Sequence, residues 1–150
     1  MRLHRHSPSG FTLVEIMIVV AIIALLAAIA IPNLLRARHN ANEVAAIKGL
    51  RTLSTALESY RAAQTPPDYP LGLEVLSNAV PPYVPASMTW GGARQGYRYL
   101  YLRESNNRYT IRANPETWRT TGSRGFHVDE TGVIRASTRG EGTRWSPEVE

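Results

Sequence analysis

The sequence contains an unbroken run of apolar residues from Ile16 to Ile31, close to its N-terminus. When the run is extended to Phe11 and Leu35, the segment carries one charged residue, Glu15. About 20 apolar residues are enough for a helix to cross the hydrocarbon core of a bilayer. The segment can therefore span a membrane. The rest of the 150-residue chain is a polar, arginine-rich region that can bury only a modest core.

Three interpretations fit an apolar segment at this position. A secretory signal peptide could be cut near the small residues Ala28 and Ala30, but the run is long for a signal peptide and the helical pattern continues past that site. A plain signal anchor would hold a soluble domain at the membrane. The third interpretation, which we favour, is a short leader that is removed immediately before the apolar segment.

Glu15 is the residue that discriminates between these interpretations. A carboxylate inside an apolar helix costs about 2.5–3.5 kcal/mol at the bilayer centre, and an anchor or signal peptide gains nothing from it. Cleavage between Gly10 and Phe11 would create an α-amine one helical turn from Glu15, and in a packed bundle that amine could meet the Glu15 of a neighbour. The alternative is that Glu15 reaches the interface unpaired.

Residues 9–15 read SGFTLVE, and this stretch resembles the cleavage and methylation motif of type IV pilins and type II secretion pseudopilins. The resemblance implies that a membrane aspartyl peptidase cuts after Gly10 on the cytoplasmic side and then N-methylates Phe11. It also implies that Glu15 pairs with a neighbouring N-terminus during assembly. Pro32 stands where the family has a proline that kinks the helix.

After Pro32 the apolar residues follow a helical spacing, with a stripe at Val44, Ile47, Leu50, Leu53, Leu57 and Tyr60. This pattern predicts one nearly continuous helix over about residues 11–63, bent at Pro32 and ended by the prolines that follow Gln64. We therefore divide the chain into a leader (1–10), a transmembrane or filament-core helix (11–35), an amphipathic helix half (36–63) and a globular head (64–150).

The head reads as a small antiparallel sheet. We predict a short helix at 71–79, a loop at 86–96, strands at 97–102 and 109–113 around a turn at 104–107, a second hairpin of 126–128 with 133–135, and a frayed end from 137. Alternation places Tyr97, Tyr99 and Tyr101 on one face of the first strand. The fold class is α+β, pilin-like: a long N-terminal helix with a small antiparallel β-sheet packed on its C-terminal half.

The search for catalytic motifs finds no nucleotide-binding loop, zinc-protease helix or nucleophile elbow, and the chain has no cysteine. We therefore expect no enzymatic activity, no cofactor and no metal. His127 and Asp129 could form an acid–base pair, but we favour an ordinary strand histidine. Some pseudopilins carry a calcium loop near the C-terminus, and Asp129 with Glu130 are weak candidates for its oxygen ligands.

Nucleic acid is a possible but disfavoured partner. Arginines outnumber acidic residues after residue 90, and Arg98 and Arg112 lie near tyrosines that could stack on bases. We favour the alternative that the tyrosines form the core face of the sheet, while the arginines are solvated or pair across subunits.

The resemblance implies a structural subunit of a type IV pilus-like filament. Such a subunit would cross the bacterial inner membrane once and later enter a periplasmic or cell-surface filament. Its implied partners are further copies of itself, the prepilin peptidase and N-methyltransferase, the assembly platform with its ATPase, and membrane lipid. The alternatives are a type II secretion pseudopilin, a DNA-uptake pilus subunit and, from a different class, a membrane-anchored binding module.

Overall fold

The computed structural model describes residues 10–89, 92–138 and 140–149. It contains one long helix followed by a five-stranded sheet, so the predicted α+β class is confirmed. The elements in chain order are α1 (Leu13–Ala62), α2 (Glu74–Asn78), a single 3₁₀ turn (Ala86–Met88), β1 (Ala93–Arg94), β2 (Tyr97–Ser105), β3 (Arg108–Pro115), β4 (Gly125–Asp129) and β5 (Arg135–Ser137). Two compact units divide between Arg36 and Ala37.

Helix α1 has nearly the predicted bounds, and its helical assignment continues through Pro32. Proline lacks a backbone N–H and removes one hydrogen bond from the helix, so the expected kink stays a prediction. The helix ends shortly before Pro66 and Pro67, because a proline restricts the residue before it to an extended conformation.

The sheet has the strand order β1-β2-β3-β4-β5, with every neighbouring pair antiparallel. The predicted pairing of the first two long strands is confirmed, with Tyr99 opposite Ala113 and Tyr101 opposite Ile111. Two details were wrong. Strand β2 continues to Ser105, so the turn is shorter than expected, and β1 lies within the stretch predicted as a loop.

The second hairpin and the C-terminus also differ from the prediction. Strand β5 begins at Arg135, so Phe126 pairs with Ala136 and the connection is longer than the turn at Asp129–Gly132. The segment 140–149 is not frayed. The Ala136 amide donates to the Pro147 carbonyl (2.8 Å), and the Val149 amide donates to Ile134 (2.9 Å), so this segment runs beside β5.

The core lies between α1 and one face of the sheet. Leu50, Leu53 and Leu57 of the predicted stripe are almost completely buried. They belong to one cluster with sheet residues that include Tyr97, Tyr109, Ile111, Phe126 and Val128. The predicted stripe was wrong at its N-terminal end, where Val44 is 65 % exposed. The acidic Glu43 is buried there instead.

Candidate functional site

Helix α1 begins with a reciprocal hydrogen-bonded cap. The Glu15 carboxylate accepts from the Thr12 backbone amide and from the Thr12 hydroxyl, both at 2.8 Å, while the Glu15 amide donates to the Thr12 hydroxyl at 3.2 Å. This is a capping box, in which a Thr at the N-cap and a Glu three residues later satisfy each other's free donors. The T-x-x-E spacing was present in the sequence, and we missed it as a helix-start signal.

The cap gives Glu15 a partner within its own chain. The sequence interpretation offered a neighbour's amine or no partner at all, so the structure adds a third possibility. Thr12 and Glu15 are both exposed, and so is nearly every side chain from Phe11 to Leu35. By length and composition, α1 could cross a membrane.

Gly10 and Phe11 precede the helix and are exposed, as a peptidase site requires. A β-carbon added to Gly10 would meet no described atom within 4 Å. Nothing in the described part of the chain therefore demands glycine at this position. Pro32 is exposed on the same helix.

The head is held to α1 by a buried carboxylate that the sequence analysis overlooked. Glu43 accepts hydrogen bonds from the Ser123 amide (3.0 Å), the Ser123 hydroxyl (2.8 Å) and the Arg124 guanidinium (2.8 Å). Burial raises the pKa of Glu43, but these donors and the Arg124 charge outweigh it, so the net pKa lies below its ordinary value. Glu43 is therefore a charged anchor for the loop before β4.

Two further residues on the same face of α1 hold this loop. His39 Nε2 lies 2.8 Å from the Thr120 carbonyl, and the Asn42 side-chain amide donates to Thr121 at 2.8 Å. His39 is half-buried beside this loop. Positions 39, 42 and 43 share one helix face, so their polar character serves a tertiary contact.

The weak calcium candidates are engaged in other contacts. Asp129 accepts from the amide and the hydroxyl of Thr131, and its second oxygen faces Arg144 at 3.7 Å. Glu130 faces Arg108 at 3.4 Å. In the described ranges, no group of three or more histidine or acidic side chains is placed to hold a metal. Asp129 acts here as a turn-forming residue.

His127 lies in β4 and is almost completely buried. Burial lowers its pKa, the cations of Arg112, Arg144 and Arg135 lower it further, and Asp129 opposes them. No described atom is hydrogen-bonded to its Nδ1. His127 also lines a cavity of about 370 Å³ together with Arg112 and Arg144, and its role as an ordinary strand histidine stays a prediction.

The tyrosines of β2 face the helix rather than solvent. Their hydroxyls donate to backbone carbonyls: Tyr97 to Arg124 at 2.8 Å, Tyr101 to Pro70 at 2.7 Å and Tyr99 to Ala46 at 3.5 Å. They are therefore not free to stack on nucleic-acid bases.

Most arginines of the head are paired with acids inside the chain, whereas we had expected solvation or pairing across subunits. Arg98 lies 3.7 Å from Glu116, and Arg112 lies 2.9 Å from Glu141. This pairing lowers the positive charge available to bind phosphates, which disfavours a nucleic-acid surface.

Comparison with known proteins locates similarity at the N-terminus. Residues 5–31 match the family model of the prokaryotic N-terminal methylation motif. The chain is 48 % identical over 62 residues to the type IV major pilin protein PilA of Myxococcus xanthus, which is 40 % of this chain and 28 % of that protein. It is 68 % identical over 34 residues to the type IV wide pilus major component PilA4 of Thermus thermophilus, covering 23 % of this chain and 26 % of that one.

A third relative is the type II secretion system core protein G of Aeromonas hydrophila, which is 32 % identical over 77 residues, covering 51 % of this chain and 54 % of that protein. The alignments thus span between about a quarter and just over half of the relatives' own lengths. No solved structure matches the chain significantly. The chain therefore carries the prepilin-type N-terminal motif that its relatives among type IV pilins and type II secretion pseudopilins share.

Proposed function

We propose that this chain is a structural subunit of a type IV pilus-like filament, cut after Gly10, N-methylated at Phe11 and assembled through its apolar helix. The observation that carries the proposal is the position of Glu15. It is the one acidic residue in an exposed apolar segment, and it lies one helical turn from the amine that cleavage would create.

Cleavage changes what Glu15 can bind. Before cleavage, the nearby donors are the Thr12 amide and hydroxyl, which are neutral. Hydrolysis of the Gly10–Phe11 bond leaves a cationic amine on Phe11, and a charged donor binds a carboxylate about twice as strongly as a neutral one. In the filament, Glu15 exchanges its own Thr12 for the amine of a neighbouring copy.

The pairing sets the register of a new subunit. Breaking a buried ion pair by removing one partner costs about 3–5 kcal/mol. A helix that enters out of register leaves Glu15 with only the neutral Thr12 donors of its own chain, which recover only part of that cost. The apolar side chains pass from lipid to the equally dry interior of a helix bundle. Close packing of small residues therefore decides association, and Ala21, Ala24, Ala27, Ala28 and Ala30 provide such surfaces.

This function gives the chain a place and a set of partners. The subunit crosses the bacterial inner membrane once, in contact with lipid, and then enters a periplasmic or cell-surface filament. The prepilin peptidase and N-methyltransferase act on Gly10 and Phe11. An inner-membrane platform with its ATPase performs the extraction, and the chain itself needs neither cofactor nor catalytic group.

A type II secretion pseudopilin is the second candidate. The observation that favours it is the coverage of the alignment with core protein G, which is 51 % of this chain and 54 % of that protein, against 40 % and 28 % for the Myxococcus xanthus pilin. Deletion of the gene separates the two machines. A pseudopilin mutant loses protein export but keeps surface filaments, and a pilin mutant loses filaments but keeps export.

The first experiment is intact mass and N-terminal analysis of the protein from its native membrane fraction. We expect a chain that begins at Phe11 with one added methyl group. A chain that begins at Met1 would contradict processing and favour a plain anchor. A chain that begins at Ile31 would indicate signal peptidase cleavage and end the filament proposal.

A second experiment separates the two roles of Glu15. Gln can replace Glu in a capping box, because its side-chain oxygen still accepts from the Thr12 amide, but Gln cannot form an ion pair. We expect Glu15→Gln and Glu15→Ala to be processed and inserted normally and to form few filaments. Normal filaments from Glu15→Gln would show that capping suffices and would refute the amine pairing.

A further inference from the structure

The cavity beside His127 lies on the face of the sheet that points away from the core. Phe126 and Val128 of β4 belong to the core, so alternation places His127 on the opposite face, where it pairs across the strands with Arg112 of β3. The volume of about 370 Å³ is near the lower end of the range of about 300–1,000 Å³ for small-molecule sites, which suits a single ring. We call it the outer cavity, and its lining includes Glu104, Arg112, His127, Arg144 and Trp145.

The wall of the outer cavity holds polar atoms that the chain itself leaves without partners. Arg112 donates from one nitrogen, Nη1, to Glu141 at 2.9 Å, but its buried Nε has no partner among the described residues. The Arg144 guanidinium faces Asp129 at 3.7 Å, which is beyond hydrogen-bond distance. His127 is 3 % exposed, and its Nδ1 has no described partner. Buried polar groups without partners are rare in folded proteins, so this wall is suited to a ligand that carries hydrogen-bond acceptors.

The charges of the lining favour a ligand with one negative charge. Two cations, Arg112 and Arg144, face one anion, Glu104, while the lowered pKa of His127 keeps its ring neutral near pH 7. A monoanion neutralises the remaining positive charge, whereas a phosphate dianion exceeds it. A guanidinium binds a carboxylate through two parallel hydrogen bonds, and Arg144 has its guanidinium free of such bonds in the described part of the chain.

Glu104 indicates that the ligand also carries hydroxyl groups. Its Oε1 accepts from the Thr110 hydroxyl at 2.8 Å, while its Oε2 is 3.8 Å from Arg108 and is free to accept a hydrogen bond. A carboxylic acid without hydroxyls would place its anion near this acid with no donor between them. A hydroxyl both donates and accepts, so hydroxyl groups can bind Glu104 as well as the unpaired donors of the wall.

We propose that the outer cavity binds a hexuronic acid, which is a sugar acid with one six-membered ring and one carboxylate. Arg144 and Arg112 bind the carboxylate, and ring hydroxyls donate to Glu104. Trp145 is 88 % exposed, and its indole provides a flat apolar surface on which the sugar ring packs. The site lies within the head of a single chain, so it is a second function that does not depend on filament assembly.

Equilibrium binding to the full-length chain tests the ligand class. The chain is kept in micelles of a polyoxyethylene detergent, which carries neither sugar nor charge, and is titrated by calorimetry in a buffer free of phosphate and carboxylate. The probes are glucuronate, its epimer galacturonate, the uncharged glucuronamide, benzoate and inorganic phosphate. We expect at least one uronate to bind with a Kd about tenfold or more below that of glucuronamide, because the amide cannot form a charged pair with Arg144.

Three variants locate the binding. Arg144→Gln removes the guanidinium and should raise the Kd of the bound uronate about tenfold or more. Trp145→Ala should raise it about threefold or more, and the exposure of this side chain lets the variant fold even if Arg144→Gln does not. Arg98→Gln is the matched control, because Arg98 also faces an acid at 3.7 Å but does not line the outer cavity, and it should leave the Kd unchanged.

The remaining outcomes each overturn the assignment. Absence of saturable binding for both uronates would refute the site, and an equal loss in Arg98→Gln would place the binding elsewhere. Benzoate that binds as tightly as the uronates would show that hydroxyls are not read, and tighter binding of phosphate would make this a phosphate site. Filament assembly plays no part in the measurement, so the proposed function and this site can fail separately.

Discussion

Among single residues, Glu43 accepts three hydrogen bonds from the loop before β4. Its side chain is almost fully buried. Its removal leaves the Ser123 amide and the Arg124 guanidinium without their acceptor. We expect Glu43→Ala to lower the free energy of unfolding by about 3 kcal/mol, at the low end of the range for a broken buried pair, because the Arg124 side chain is 38 % exposed.

Thermal unfolding of the full chain in detergent micelles measures this loss. Glu43→Gln keeps an acceptor for Ser123 and should lose about 1–2 kcal/mol. Glu74→Ala is the control, since Glu74 is exposed and forms no ion pair with another described residue, and it should change stability by less than about 0.5 kcal/mol. Equal losses for Glu43→Ala and Glu74→Ala would contradict the anchoring role.

His127 makes the stability of the head depend on pH. Its pKa is lowered in the folded state, so the unfolded chain takes up a proton first as the pH falls. Its contribution is present above the ordinary histidine pKa of about 6.5 and is lost as the pH falls through the lower folded pKa. The pKa values of Glu43 and Asp129 are lowered as well, and their contributions are lost only at more acidic pH.

We therefore expect the melting temperature of the full chain in micelles to fall between pH 7 and pH 5, and His127→Gln to flatten this dependence. Measurements at several pH values for both chains test the assignment. The same slope in the variant would show that another group titrates.

The sequence allowed some of these single-residue roles to be predicted and hid others. Tyr97, Tyr99 and Tyr101 were assigned to the core correctly, because alternation along a strand is a local pattern. The burial and the anchoring role of Glu43 were not predicted, because its partners lie about 80 residues away and no local spacing reveals them. The capping box of Thr12 and Glu15 was readable from the sequence, but we considered Glu15 only as a membrane charge.

Between elements, Gly49 of α1 lies against Tyr99 of β2. A β-carbon built there would fall inside contact distance of the Tyr99 hydroxyl, and the Tyr99 Cζ would be 3.0 Å away. Alanine gains about 1 kcal/mol in helix propensity, but it has to push the packed Tyr99 ring away from α1. We expect Gly49→Ala to lower the melting temperature of the full chain in micelles.

A double-mutant cycle tests whether Tyr99 causes this effect. Tyr99→Phe removes the nearest atom, so Gly49→Ala should cost less in a chain that carries Tyr99→Phe than in the native chain. Equal costs in the two backgrounds would exclude the Tyr99 hydroxyl as the cause.

The C-terminal segment shows why some elements escaped prediction. Residues 140–149 have no alternating or helical pattern. One isolated bridge and two backbone hydrogen bonds attach them to β5 and to Ile134, the residue before it. A β-carbon on Gly142 would lie 2.5 Å from the carbonyl carbon of Phe126, which is backbone and cannot give way. Backbone contacts and ion pairs such as Arg112–Glu141 and Arg135–Glu148 hold this segment, and no local hydropathy pattern reveals them.

At the scale of the whole molecule, the two units differ in whether their apolar side chains are buried within the chain. The unit from Ala37 onward contains its own apolar core, and most arginines of the head are paired within it. The unit before it leaves its large apolar side chains exposed, and exposed apolar surfaces of this size are typical of sites that contact a membrane or another protein. In the sequence, the change in hydropathy comes after Leu35, close to this boundary.

The exposed alanines of α1 give the sharpest test of helix packing between copies. Ala24 is exposed, so Ala24→Leu places its larger side chain in open space within the chain and raises the apolar character of the segment. Insertion and cleavage should therefore be unchanged. Close packing between helices depends on small residues, so filament yield should fall at least tenfold. Leu25→Ile conserves volume at the next position and serves as control. Normal filaments from Ala24→Leu would mean that this face of the helix stays in contact with lipid or solvent, and another face would have to form the core.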